Sequence, residues 1–164
     1  MSNKNQLIEQ CKEDNCKVLE IGVAEGNTTI QLLESNPTLQ YVGIDPWHWN
    51  EEMNKPPHRL AFKNQEEVDE WYERVLTRLE PFKERSKVIR GFSKDVLLEL
   101  KDKFDVIHID GDHTYEGCRW DLYNCSHLLK EGGTIVVDDV HYWEGCTRAW
   151  REFKRDNPNL KVLP

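Results

Sequence analysis

Short apolar runs and longer amphipathic stretches alternate along the chain from Lys17 onward. Val18, Leu19 and Ile21 predict a strand over 17–22, and Thr28 to Leu33 predict a helix over about 27–35 that Asn36-Pro37 closes. The same reading gives strands at Tyr41–Asp45, Lys87–Gly91, Phe104–Asp110 and Thr134–Asp138, with a sixth beginning at Leu160–Leu163. Val68, Trp71, Tyr72, Val75 and Leu79 recur at helical spacing over 65–80. Further helices are expected at Ser93–Leu100, with Ser93 as its cap, and at Thr147–Asp156. Another is expected at Tyr115–Lys130, with Cys118, Leu122, Cys125 and Leu129 on one stripe and Gly132-Gly133 as its stop. A short helix is expected over 5–15. Residues 47–64 carry Trp47, His48, Trp49, Pro56, Pro57 and His58 without periodicity and read as a long irregular loop or lid.

Strands that are apolar on both sides and alternate with helices imply a mainly parallel sheet covered on both faces. The expected fold is a doubly wound, Rossmann-like α/β domain. At 164 residues it is expected to be a single domain over 1–164, long enough to bury a core and without repeats or linkers.

Composition narrows the partners. The net charge of −8 repels a phosphate backbone, so nucleic acid is not an expected partner. Arg74, Arg78, Lys83, Arg85 and Lys87 cluster, but Glu73, Glu80 and Glu84 among them make a solvated helix face. No apolar run approaches the ~18 residues of a membrane span, and the polar start MSNKNQ does not read as a signal segment. The five cysteines, Cys11, Cys16, Cys118, Cys125 and Cys146, are odd in number and include no C-x-x-C. They read as core residues of a protein in a reducing, cytoplasmic compartment.

The chemistry concentrates in the first turn. KVLEIGVAEGNTT runs from strand through a glycine loop into a helix, the order of a nucleotide-binding turn. Gly22 permits backbone angles that a Cβ forbids, and Gly26 would let a ligand approach the main chain. The N–H groups at Asn27 and Thr28, where the helix starts, favour a carboxylate or phosphate. The spacing is G-x-x-x-G, which departs from the dinucleotide fingerprint G-x-G-x-x-G. Glu20, two residues before Gly22, suits a ligand with positive charge or an amine. Asp45 ends the second strand 23 positions after Gly22, where an acid holds the hydroxyls of a ribose. Asp110 and the pair Asp138-Asp139 end the fourth and fifth strands. Three converging carboxylates call for a hard divalent cation such as Mg²⁺; helix capping or loop bonding is the structural alternative.

The segments EIGVAEGNTT, GIDPW, GFSKD, FDVIHIDGDHTYEGCRWDL and LLKEGGTIVVDDV together resemble the class I S-adenosylmethionine-dependent methyltransferases. Within them the chain is most similar to small-molecule O-methyltransferases, including the macrolide- and aminocoumarin-sugar enzymes, and more distantly to catechol O-methyltransferase. The resemblance runs from about Cys16 to Phe153, and IDGDHTYEG is its most specific part. It implies that Glu20, Gly22 and Gly26 line the methionine end of the cofactor. Asp45 would hold the ribose, with Pro46 and Trp47 beside the adenine and Phe92 and Ser93 in the adenine loop. Asp110, Asp138 and Asp139 match the metal positions of the metal-dependent members. Many relatives have His-Asp at the last pair, so the doublet favours a metal.

Methyl transfer needs a placed acceptor oxygen and a base. Asp112 and His141 stand where the aminocoumarin-sugar and macrolide-sugar enzymes have theirs, ahead of His113, which matches the catechol enzyme's lysine. Trp47, Trp49, His58, Tyr142 and Trp143 are expected to enclose a ring-shaped acceptor, sugar or phenol. Members of this fold usually end on an antiparallel seventh strand, and none is visible before Pro164. The uncovered sheet edge is therefore expected to pair with a second copy. The leading expectation is metal-assisted O-methylation of a small hydroxylated molecule. A metal-independent methyltransferase, a nicotinamide-dependent oxidoreductase and a non-catalytic binding subunit are the alternatives.

Overall fold

The computed structural model describes residues 3–51 and 61–164. The elements run α1 (Asn3–Gln10), β1 (Lys17–Ile21), α2 (Asn27–Ser35), β2 (Gln40–Asp45), α3 (Gln65–Leu79) and β3 (Ser86–Arg90). They continue with α4 (Ser93–Val96), β4 (Phe104–Ile109), α5 (Tyr115–Ser126), β5 (Leu129–Val137), α6 (Glu144–Asp156) and β6 (Lys161–Leu163). Among the described residues the six strands form one sheet in the order β3-β2-β1-β4-β5-β6, every neighbouring pair parallel, with no seventh strand. The doubly wound expectation holds.

Alternation along the central strands divides the core in two. Leu19, Ile21, Ile107, Ile109, Ile135 and Val137 face Cys118, Leu122, Cys125, Ala149 and Phe153 of α5 and α6. Val18, Val106 and Val136 face Leu32, Leu33, Val68, Trp71 and Val75 of α2 and α3. Glu20 and His108, partners on one rung of the β1–β4 ladder, fall on this second face as polar members of an apolar layer.

Two local expectations are corrected. The helix at 115 ends at Ser126, and Gly132-Gly133 lies inside β5. The β4–β5 register jumps from Phe104↔Leu129 to Val106↔Thr134, so β5 carries extra residues as a bulge, and Gly132 supplies the φ of +78° it needs. Ser93 does not cap α4: Phe92 is the N-cap residue, and the Ser93 hydroxyl is directed to α5.

Candidate active site

All strand C-termini lie on one edge of a parallel sheet, and ligands bind there. Gly22 turns β1 out of the sheet at φ +90°, and a Cβ on it would stand 2.0 Å from the Asp110 carbonyl oxygen. The first glycine therefore serves a close chain-to-chain approach between the β1 and β4 loops. Gly26, at φ +72°, is the N-cap of α2 and offers no side chain to its first N–H groups. Arg78 of α3 holds this turn from outside, donating to the Glu25 carbonyl and to Asn27 Oδ1. Thr28 is half-buried in the first turn of α2.

Asp45 reaches back over the same loop. Its Oδ2 accepts from Val23 N and Ala24 N, both at 3.0 Å, and its Oδ1 accepts from Trp47 N at 2.9 Å. Burial raises its pKa, and these three bonds only partly offset that. Trp47 does not flank an open adenine site. It is 1% exposed, packs on Tyr72 at 4.8 Å between ring centres and donates its indole N–H to the Ala24 carbonyl at 3.3 Å. A left-handed backbone at Trp47, φ +36°, turns its side chain into the core. Arg90 fixes the segment by donating to the Trp47 carbonyl at 2.8 Å while pairing with Asp69 and lying over Tyr72.

Glu20 is 1% exposed and enters a network that the sequence did not reveal. Its Oε2 accepts from Thr29 Oγ1 at 2.7 Å and from the Tyr41 hydroxyl, and its Oε1 faces His108 Nδ1 at 3.0 Å. It therefore braces the first turn from below and does not line the methionine end directly. His108 Nε2 in turn lies 4.0 Å from Asp138 Oδ2. Burial disfavours the charged imidazole of His108, but Glu20, Asp110 and Asp138 outweigh it and raise the pKa. The missed signal was a histidine at a strand position flanked by isoleucines, on the rung of Glu20.

The acids at the ends of β4 and β5 gather around Asp110. Two sets have ligand atoms all within 4.8 Å of one another: His108, Asp110 and Asp138, and Asp110, His113 and Asp139. The three aspartates expected as one cluster are thus divided, with Asp110 shared. The turn after β4 curls so that His113 Nε2 lies 3.5 Å from Asp110 Oδ1 and 3.4 Å from Asp139 Oδ2. The Asp110 bond raises the His113 pKa against the effect of burial, while burial raises that of Asp110 against His113. Trp143 closes the far side, its ring parallel to His113 within 7° at 5.8 Å and its N–H on Asp139 Oδ2 at 3.1 Å. Asp139 adopts φ +56°, and its N–H donates to Asp138 Oδ1.

The structure places the three candidate bases differently. Asp112 is exposed, accepts from Thr114 N at 2.8 Å and lies against Gly117 at the start of α5, so it organises the turn. His141 is exposed and belongs to neither acid group. His113, ranked last from sequence, is the base candidate that reaches the acids. Of the expected lid, Tyr142 is 82% exposed, and Trp49 is tied by its indole N–H to the Phe62 carbonyl at 3.1 Å. His58 lies outside the described residues. Phe92 is 42% exposed at the turn after β3, beside half-buried Ser93. Ser93 Oγ donates to Asp121 Oδ1 at 2.6 Å, and burial pushes the Asp121 pKa up to about 6.

No helix of the described residues is long and apolar enough to cross a membrane. All five cysteines are free and buried.

No curated protein matches the chain at a significant level. Solved structures do. The O-methyltransferase NovP superposes with a TM-score of 0.70 at 20% identity, over 96% of this chain and 71% of that one. A candidate caffeoyl-CoA O-methyltransferase from Staphylococcus aureus gives 0.58 at 19% identity, over 85% of this chain and 56% of that one. The SAH-bound methyltransferase PaMTH1 of Podospora anserina gives 0.63 at 17% identity, over 94% of this chain and 66% of that one. The chain thus spans little more than half of the S. aureus protein's length. At these identities the likeness is one of fold. The family of methyltransferase domains matches residues 19–140, most of the chain and the ends of β1 to β5. With the glycine turn, the acid that ends β2 and the all-parallel sheet in place, the chain belongs to the methyltransferase domain family.

Proposed function

We propose that this chain transfers the methyl group of S-adenosylmethionine to a hydroxyl oxygen of a small molecule, aided by a divalent cation. The observation that carries the proposal is the convergence of Asp110, His113 and Asp139 at the strand edge that holds the glycine turn. Carboxylates this close suit a hard divalent cation such as Mg²⁺ or Mn²⁺. Asp110 and Asp139 would hold it, with His113 beside them. A bound cation lowers the pKa of a coordinated hydroxyl and orients it.

The residues present do the rest. The acceptor oxygen attacks the methyl carbon, the carbon–sulfur bond breaks, and S-adenosylhomocysteine leaves. His113 takes the hydroxyl proton at Nε2, and the flanking Asp110 and Asp139 carboxylates stabilise the imidazolium. Trp143 keeps one face of His113 dry and offers an aromatic wall to a ring-shaped acceptor. The likeness to NovP and to the S. aureus protein supports oxygen as the methylated atom.

A second reading has its own observation. His113 already stands between two carboxylates, and its positive form neutralises them without an added ion. Methyl transfer from labelled S-adenosylmethionine to a panel of sugars and phenols, with and without chelator, tests both. Loss of turnover on chelation and recovery with Mg²⁺ or Mn²⁺ supports the metal reading. Turnover that survives chelation supports the second. Cofactor binding without turnover on any acceptor would leave a binding subunit.

A further inference from the structure

Asp121 has no part in the chemistry above, yet it is a carboxylate on α5 with 2% of its surface exposed. It sits between two turns at the ligand edge of the sheet. Its Oδ1 accepts the Ser93 hydroxyl from the turn after β3, and its Oδ2 lies close to Gly111 in the turn after β4, 3.4 Å from where a Cβ on that glycine would stand. The turn after β3 is stitched to the end of β2 by Gly91 N donating to the Asp45 carbonyl at 2.9 Å. A base joined to a ribose held at Asp45 would reach toward the turn that carries the Phe92 ring and the Ser93 hydroxyl. Exposed Phe92 offers a face on which a base can stack.

A serine hydroxyl carries one proton and two acceptor lone pairs. Here the proton points at a buried carboxylate, in a short charge-assisted bond. Turning the hydroxyl the other way would strip that carboxylate of its donor inside the protein, which costs more than an ordinary hydrogen bond is worth. What remains facing the ligand is lone pairs. Resting on the S-adenosylmethionine reading above, we propose that Asp121 fixes the Ser93 proton, so that Ser93 meets the base as an acceptor only and selects the 6-amino group of adenine over a 6-oxo purine. Asp121 is a positioning residue in this arrangement. Ser93 makes the contact, and a 6-oxo group would bring two acceptors face to face.

The test is calorimetric titration with S-adenosylhomocysteine and with its deaminated analogue, S-inosylhomocysteine. Wild type is expected to prefer the amino form by about tenfold or more, the scale set by one unsatisfied buried polar group. Asp121→Leu leaves the hydroxyl free to turn, and the preference should fall to within about threefold. Ser93→Ala should do the same, and it carries the test if Asp121→Leu does not fold. Asp121→Asn retains an acceptor oxygen for Ser93 and should keep most of the preference.

Equal affinities in wild type overturn the inference. So does a wild-type ratio that persists in both Asp121→Leu and Ser93→Ala, or one that Asp121→Asn loses as fully as Asp121→Leu. In each of these cases S-adenosylhomocysteine still binds and the reading of the cofactor stands. Failure of wild type to bind S-adenosylhomocysteine at all overturns both.

Discussion

His108 Nδ1 lies 3.0 Å from Glu20 Oε1, and both side chains are within 2% of full burial at the middle of the sheet. The pair ties β1, which launches the glycine turn, to β4, which ends in the acid cluster. Removing one partner leaves the other buried and uncompensated. Glu20→Ala is expected to cost about 3–5 kcal/mol. Replacing both residues, as Glu20→Leu with His108→Leu, should cost less than either single truncation. Urea unfolding of Glu20→Ala, His108→Ala and the double variant checks this, and additive costs would show that the pair is not coupled.

Asp121 predicts a pH dependence of the opposite sign to most buried acids in ion pairs. Its pKa is about 6 in the folded protein against the ordinary 3.8. The native state therefore holds its proton more tightly than the unfolded chain does. This contribution is fully present below pH 4 and is lost as pH rises through 6, amounting to about 2–3 kcal/mol. Asp121→Asn should therefore be more stable than wild type at pH 8, with the gap closing toward pH 4. A gap that is flat across this range in chemical denaturation would count against a raised pKa.

Metal affinity separates the acids from their sequence neighbours. Asp110→Asn should weaken Mn²⁺ binding by at least about tenfold, since Asp110 belongs to both groups. Asp112→Ala and His141→Ala should leave it within about twofold, because neither residue reaches the groups. Titration of Mn²⁺ followed by electron paramagnetic resonance reads the difference.

His113→Ala should lower the rate of methyl transfer by about a hundredfold or more, the usual worth of a placed base. His141→Ala should change it little. A larger loss in His141→Ala than in His113→Ala, measured with saturating acceptor, would favour the ranking read from sequence.

Gly22→Ala meets two obstacles together, a φ of +90° and a backbone oxygen 2.0 Å from the new methyl. A cost above about 3 kcal/mol is expected, with loss of S-adenosylhomocysteine binding even where the fold survives. Circular dichroism and calorimetry on the same sample distinguish the two effects.

The fold was readable because apolar runs and helical periods each report burial locally. Val18 and Leu19 had to go to opposite faces whatever else the chain did. The end of α5 was misread because Gly132-Gly133 looks the same in sequence whether it stops a helix or bulges a strand. Register against β4 decides, and register is not local. In the site, the strand-end acids were found because position along the strand sets their edge. Their division between His108 and His113 was hidden, since it depends on how the Gly111–Thr114 turn curls. Trp47 was placed beside the adenine by the family resemblance of GIDPW. A left-handed backbone sends it inward, and sequence gives no warning of that at a bulky residue. Asp121 escaped notice as one more acid on an amphipathic helix; only its burial beside Ser93 sets it apart.

Every pairing in the sheet is parallel, so no two strands can meet through a tight hairpin. Each contact must wait for a helix and its loops to close behind it, which slows assembly. The strands β1, β2 and β3 can associate from residues 17–90 alone, whereas the other side of β1 stays unpaired until β4 arrives at Phe104. During synthesis the centre of the finished sheet is therefore, for a time, its sticky rim, and a chaperone that shields Val18 to Ile21 would act at the step where misassembly threatens most.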